Sequence, residues 1–158
     1  MRLNFKNYFK DIHKGGEIWI IGGGASMNYV SPSFFDGKLK MGLGEAFRKY
    51  KNCTYYLRKD GRSYQGHDIF DVIKYNPSTK LIFSDYVGCA VEWGKNEFDV
   101  DVDYYFFEHE PSHGELSGNW NKIEGKFANG IGLTGIGVHL AAYMGVKNIL
   151  ICGNDTVW

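Results

Sequence analysis

The sequence predicts an α/β domain: a mainly parallel sheet flanked by helices. Three observations carry that prediction. Short apolar runs without polar alternation, such as residues 18–21, read as strands buried on both faces. Such runs alternate with stretches of helical spacing, the pattern of repeated strand–helix–strand units. Glycines and aspartates stand just past several runs, at the edge where open α/β sheets gather their ligand loops. A chain of 158 residues makes one domain with a real core, 1–158.

In chain order, residues 1–14 carry Leu3, Phe5, Tyr8, Phe9 and Ile12 at a spacing compatible with a short amphipathic helix, closed by Gly15 and Gly16. Residues 17–27, EIWIIGGGASM, are the stretch around which the rest of the chain is expected to be arranged. Ile18, Trp19, Ile20 and Ile21 run into Gly22, Gly23 and Gly24, which let the backbone turn sharply and expose N–H groups, and then into Ala25 and Ser26. Pro32 enforces a turn, Phe34 and Phe35 are expected to cover the sheet edge, and 38–43 is the next strand. A short helix over 45–50 leads to a third strand, 53–57, ending in Arg58, Lys59 and Asp60. A helix is expected over 67–75, stopped by Pro77, then a fourth strand over 80–84 with Asp85 at its end and a fifth over 101–107.

Residues 108–133, rich in Gly, Asn, Ser and Glu with little periodicity, read as a long loop, and loops of that length in compact domains are usually functional. From Thr134 the pattern sharpens: Ile136, Leu140 and Met144 fall on one helical face, and Gly145 ends the helix. The last strand covers 147–152 and runs into Gly153, Asn154 and Asp155.

Composition narrows the function. Lys+Arg and Asp+Glu are both 18, so no charge excess argues for nucleic acid or an anionic membrane as partner. Aromatic residues make up 16%, enough to pack a core and leave rings for a base or sugar. Cys53, Cys89 and Cys152 have no metal-like spacing and read as reduced thiols. The first residues mix charge and aromatics without a continuous apolar stretch, and no run approaches a membrane span, so a cytoplasmic location is expected.

Two blocks, IIGGGASMNYV and TGIGVHLAAYMGVKNILICGNDT, together resemble a Rossmann-like family. It includes bacterial sialyltransferases using CMP-sialic acid, archaeal 6-hydroxymethylpterin diphosphokinase, and related bacterial and phage proteins. In that family a strand runs into Gly-x-Gly-Pro-Ser, and a later Ser/Thr-Gly opens a helix leading to a strand that ends in Gly-x-Asp. The matching residues here are Gly22, Gly24, Ala25 and Ser26, then Thr134 and Gly135, then Gly153 and Asp155.

The resemblance implies a Rossmann-like nucleotide-binding domain. Backbone N–H groups around Gly23–Ser26 would hold phosphate oxygens, and the helix opening at Thr134 and Gly135 would favour an anion. The two blocks meet if their strands are neighbours. Three departures qualify it: Ala25 replaces the usual Pro, Gly44 stands where sialyltransferases place a donor-contacting Asn, and the family's catalytic His lies beyond the point where this chain stops, as expected of a minimal or truncated member, of chemistry that uses other residues, or of a nucleotide binder without transferase activity.

The expected partner is a nucleotide or nucleotide-sugar. The expected activity is sialyltransferase-like glycosyl transfer from a CMP-type donor without a metal. One alternative is diphosphate transfer from ATP to a hydroxymethylpterin-like compound, which would need Mg²⁺. Another is a non-catalytic nucleotide binder. A purely structural role is the less expected reading, since nothing structural is expected to require glycines at both strand ends.

For chemistry, FFEHEPSHGE places Glu108, His109, Glu110, His113 and Glu115 past a predicted strand. His109 or His113 would serve as a general base activating an acceptor hydroxyl. A cation site is the lesser reading, because Pro111 prevents a regular helix across the two histidines, and a polar surface loop is the plain one. Asp60, Asp85 and Asp155 each follow a predicted strand, where a carboxylate binds a ribose hydroxyl or Mg²⁺, or caps a turn. Arg58 and Lys59 read as a solvated turn in preference to a phosphate contact, His139 as a packed core or surface residue of the helix and not a catalyst, and Tyr55, Tyr56, Tyr104 and Tyr105 as strand packing.

Overall fold

A computed structural model of the chain describes residues 2–3, 6–58, 76–84, 104–110, 126–128 and 132–155. The strands are β1 (Arg2–Leu3), β2 (Glu17–Ile21), β3 (Lys40–Leu43), β4 (Tyr55–Arg58), β5 (Lys80–Ser84), β6 (Tyr104–Glu110), β7 (Lys126–Ala128) and β8 (Asn148–Cys152). The helices are α1 (Lys6–Phe9) and α2 (Leu133–Tyr143), with 3-10 turns at Ala25–Tyr29, Pro32–Phe35 and Gly44–Arg48.

The fold is α/β, and the sheet is open. Its order is β8-β2-β3-β4-β5-β6-β1, with β7 paired to the carboxyl half of β6, and every pair is parallel. From β2 to β6 the chain steps across the sheet in one direction, then returns to lay β8 on the far side of β2. The strand order therefore reverses at β2, the kind of position where open parallel sheets hold ligands.

Alternation along the strands gives the sheet two apolar faces. Ile18, Ile20, Met41, Leu43, Tyr55, Leu57 and Ile82 face one way and pack with Phe9 and with Ile136, Leu140, Ala141 and Met144. Full burial of a side chain such as Ile20 stabilises by about 2 kcal/mol, an upper value because unfolded chains are not fully extended. That packing, more than intrinsic propensity, holds a helix containing Gly135 and Gly137. Gly137 also brings α2 close, since an added Cβ would lie 3.4 Å from Leu43 and Met41. The opposite face buries Ile21, Met27, Phe35, Ala46, Tyr50 and Cys53 against Trp19, Val30 and Cys152.

Several boundaries differ from the sequence reading. Residues 1–14 do not form one helix: Arg2 and Leu3 pair with Tyr104 and Tyr105, and the helix covers only Lys6–Phe9. It stops because the Asp11 and His13 N–H groups donate to the Tyr143 and Met144 carbonyls, at the far end of α2, in place of their own preceding turn. The short helix expected over 45–50 is the 3-10 turn Gly44–Arg48. Phe34 and Phe35 cover a face, not an edge, meeting Trp19 edge-on at 5.3 and 5.5 Å between ring centres.

The long loop expected over 108–133 contains regular structure, because residues 108–110 extend β6 and pair with β7. The helix expected over 67–75 lies outside the described residues. Among the described residues, no helix is long and apolar enough to cross a membrane.

Candidate functional site at the carboxyl ends of β2 and β8

Because β2 and β8 are neighbours in register from Glu17 opposite Asn148 to Ile21 opposite Cys152, the two glycine blocks meet. The ladder continues past both strands: the Gly22 N–H donates to the Cys152 carbonyl (2.8 Å) and the Gly24 N–H to the Gly153 carbonyl (2.9 Å). This close approach requires glycines. A Cβ on Gly22 would collide with the Gly153 carbonyl oxygen, and one on Gly153, whose φ is +66°, would collide with Met27. The expectation that nothing structural requires glycines at both ends is therefore corrected: two backbones pass too close for side chains.

The next contact is between side chains. The Ser26 N–H and Oγ donate to the two carboxylate oxygens of Asp155, each at 2.6 Å. These bonds, the hydroxyl first and the backbone second, hold the exposed Asp155 carboxyl below its ordinary range. The Ser26 N–H expected to face a phosphate thus already serves a carboxylate, and a phosphate would have to displace it. Asp155 keeps further acceptor positions, which suit a hydroxyl donor or a cation. Gly23 faces the loop after β3, and an added Cβ there would lie 4.0 Å from that of Glu45.

Helix α2 begins beside these loops. Gly132 caps it without a side-chain hydrogen bond, and the first turn closes with Ile136 N–H to the Gly132 carbonyl at 3.1 Å. The N–H groups of Leu133, Thr134 and Gly135 precede that bond and carry the helix's partial positive charge. Thr134 Oγ1 donates to Asn154 Oδ1 at 2.8 Å, tying the helix start to the loop after β8. Gly44, at φ +53°, follows β3, and an added Cβ there would lie 3.7 Å from Leu133. Gly22–Ser26, Gly44, Thr134, Gly135, Gly153 and Asp155 are thus brought to one edge of the sheet.

Sequence reasoning missed two neighbours. Glu45 adds a second carboxylate near Gly23 and pairs with Arg48 at 2.5 Å, an exposed pair contributing under about 1 kcal/mol. Its position just after the strand-ending Gly44 was the available signal. Asn154, between Gly153 and Asp155, was seen only as turn sequence.

Other candidates fall elsewhere. His109 lies on β6, four strands from β2, or about 19 Å at ~4.8 Å per strand. His113, Glu115, Asp60, Lys59 and Asp85 lie outside the described residues. Arg58 is not on a solvated turn: it is the last residue of β4 and only 5% exposed. Tyr55 and Tyr56 are buried strand residues, and burial together with Tyr8 and Tyr105 raises the Tyr55 hydroxyl to about 12. His139 is half-buried in α2. Among the described residues, no group of three His, Cys, Asp or Glu side chains is placed to hold a metal ion. Comparison with known proteins finds no family model that matches the chain, and no curated protein or solved structure with significant similarity to it.

Proposed function

We propose that the domain binds a nucleotide or nucleotide-sugar across the carboxyl ends of β2 and β8, and that sialyltransferase-like glycosyl transfer from a CMP-type donor is the activity built on that site. The observation that carries this reading is the meeting of the two glycine turns at the strand where the sheet order reverses, next to the start of α2, whose Gly132 cap offers no side-chain hydrogen bond. Asp155, oriented by Ser26, would accept from a ribose hydroxyl, and the α2 N-terminus would face the phosphate. A general base must stand within hydrogen-bond reach of the acceptor hydroxyl. His109, about 19 Å from β2 by strand spacing, does not stand beside a phosphate bound there, so binding is the part of the reading with the stronger support.

One observation favours a second reading. A carboxylate sits where the motif expects phosphate, and Asp155 has lone pairs to spare for Mg²⁺, as diphosphate transfer from ATP would need.

A thermal-shift screen against CMP, CMP-sialic acid, UDP- and GDP-sugars, ATP and pterins, with and without Mg²⁺, separates these readings. A ligand at 100 times its dissociation constant adds about 2.7 kcal/mol of stability. Stabilisation by CMP compounds without Mg²⁺ supports the transferase-type donor site. Stabilisation only by ATP or a pterin with Mg²⁺ supports the second reading. If no nucleotide raises the melting temperature, the glycine turns serve packing alone and the proposal fails.

A further inference from the structure

On the face of the sheet away from α2 there is a cavity of about 220 Å³ between the Pro32–Phe35 turn, the start of β3 and residues 49–52. Met41 and Leu43 face α2, so alternation along β3 turns Lys40 to this side. Phe35 and Tyr50 form an apolar wall, meeting edge-on at 5.3 Å between ring centres. Among the described residues, three ammonium-bearing side chains line the space, those of Lys40, Lys49 and Lys51, against one carboxylate, Asp36.

Lys40 is the unusual member. It is only 8% exposed, yet its ammonium makes no hydrogen bond or ion pair with another described residue. Largely covered and without a counter-charge beside it, this cation attracts any anion that fits in the cavity. The surrounding wall is held in place: Lys49 Nζ donates to the Met27 carbonyl at 2.6 Å, and the Tyr50 hydroxyl donates to the Met27 and Val30 carbonyls at 2.8 and 3.1 Å. The volume lies below the roughly 300–1,000 Å³ of sites for drug-sized ligands, so the occupant is small.

We propose that this cavity binds the phosphate group of a small anion, with Lys40 as its buried counter-charge and Lys49 and Lys51 at its sides. The proposal is independent of the nucleotide reading. It rests on different residues and on a different face of β3.

The test is calorimetric titration of the full chain with inorganic phosphate and with glycerol 3-phosphate, against chloride at matched ionic strength. Both phosphates are expected to bind in the millimolar range or tighter. Lys40→Met is expected to weaken them at least about tenfold, the loss of one charged hydrogen bond. Lys38→Met removes an equal charge outside the cavity, from a side chain lying 5.0 Å from the Phe34 ring centre, and is expected to leave binding unchanged. Tighter binding of glycerol 3-phosphate identifies a phosphorylated compound as the ligand; tighter binding of inorganic phosphate identifies the free ion. If Lys40→Met does not fold, Lys51→Gln carries the test, with about threefold weaker binding expected. Absence of phosphate binding beyond the chloride control, or unchanged affinity in the folded lysine variant, overturns the proposal and leaves Lys40 hydrated by cavity water.

Discussion

Glycine turns close both ends of the β2–β8 pair, but different bonds hold them. At the amino end, the Gly15 N–H donates to the Gly145 carbonyl at 2.8 Å, and the N–H groups of Lys147 and Asn148 converge on the Gly16 carbonyl at 2.7 and 3.2 Å. The Asp11 and His13 N–H groups finish the carbonyls of Tyr143 and Met144, so this turn also caps α2. These bonds join backbone to backbone, and the His13 ring adds one part-buried side-chain bond, to the Tyr55 hydroxyl at 2.7 Å. At the carboxyl end the backbone ladder is supplemented by the Ser26–Asp155 and Thr134–Asn154 side-chain bonds, all exposed. Glycine content does not distinguish the two ends. What marks the carboxyl end is exposed side-chain bonds that cross between separate segments, Ser26 to Asp155 and Thr134 to Asn154, where a ligand can exchange for them.

The largest break in this comparison comes from filling the close approach. Gly153→Ala adds a Cβ against Met27 and the Gly22 carbonyl at a left-handed φ of +66°, and is expected to cost about 3 kcal/mol in urea unfolding. Gly145→Ala at the amino end shares the left-handed φ, +76°, but its nearest neighbour is the movable Asp11 carboxylate at 2.7 Å. A loss of about 2 kcal/mol is expected there, with nucleotide affinity unaltered. A larger loss for Gly145→Ala than for Gly153→Ala would erase the distinction.

A smaller effect sharpens it. Asp155→Asn keeps the shape but removes the charge, and is expected to weaken the proposed nucleotide binding about tenfold while the melting temperature of the free protein hardly moves. Equal affinity in the variant would separate Asp155 from the ligand.

The smallest effect is on the pH dependence of stability, where the two ends titrate in different windows. Burial lowers the His13 pKa from its ordinary 6.5, so the folded state disfavours the proton. That contribution is complete above pH 6.5 and is lost as pH falls from there towards the folded-state value. Asp155 is depressed from 3.8 by its Ser26 bonds, so its contribution is present above pH 3.8 and is lost as pH falls through the lower, folded-state value. Melting curves across pH should lose the upper step in His13→Gln and the lower step in Asp155→Asn. One variant removing both steps would show that the ends are coupled.

How far the sequence could be read follows from which interactions are local. The strands at 17–21, 80–84 and 148–152 were legible to within a residue, because an apolar run bounded by glycine or polar residues is a local signal. So were the parallel α/β class and the end of α2 at Gly145. The amino-terminal segment was misread because its helical spacing was overridden by the α2 carbonyls, 132 residues away in the case of Asp11 and Tyr143. Arg58 and Lys40 carried no sequence mark of burial, since a charged residue at a strand end looks the same whether or not another element covers it.

The candidate site divides in the same way. The sequence by itself determined which residues stand at strand ends: Gly22, Gly23, Gly24 and Ser26 after β2, and Gly153 and Asp155 after β8. Only the tertiary structure decided that β8 lies beside β2, and therefore that Ser26 meets a carboxylate 129 residues further along the chain. It also decided that His109 stands four strands away from both glycine turns' shared edge at β2. Side-chain periodicity reports which face of a strand is buried. It carries no information on which strand lies alongside, because that choice is made by connections and packing between segments far apart in the chain.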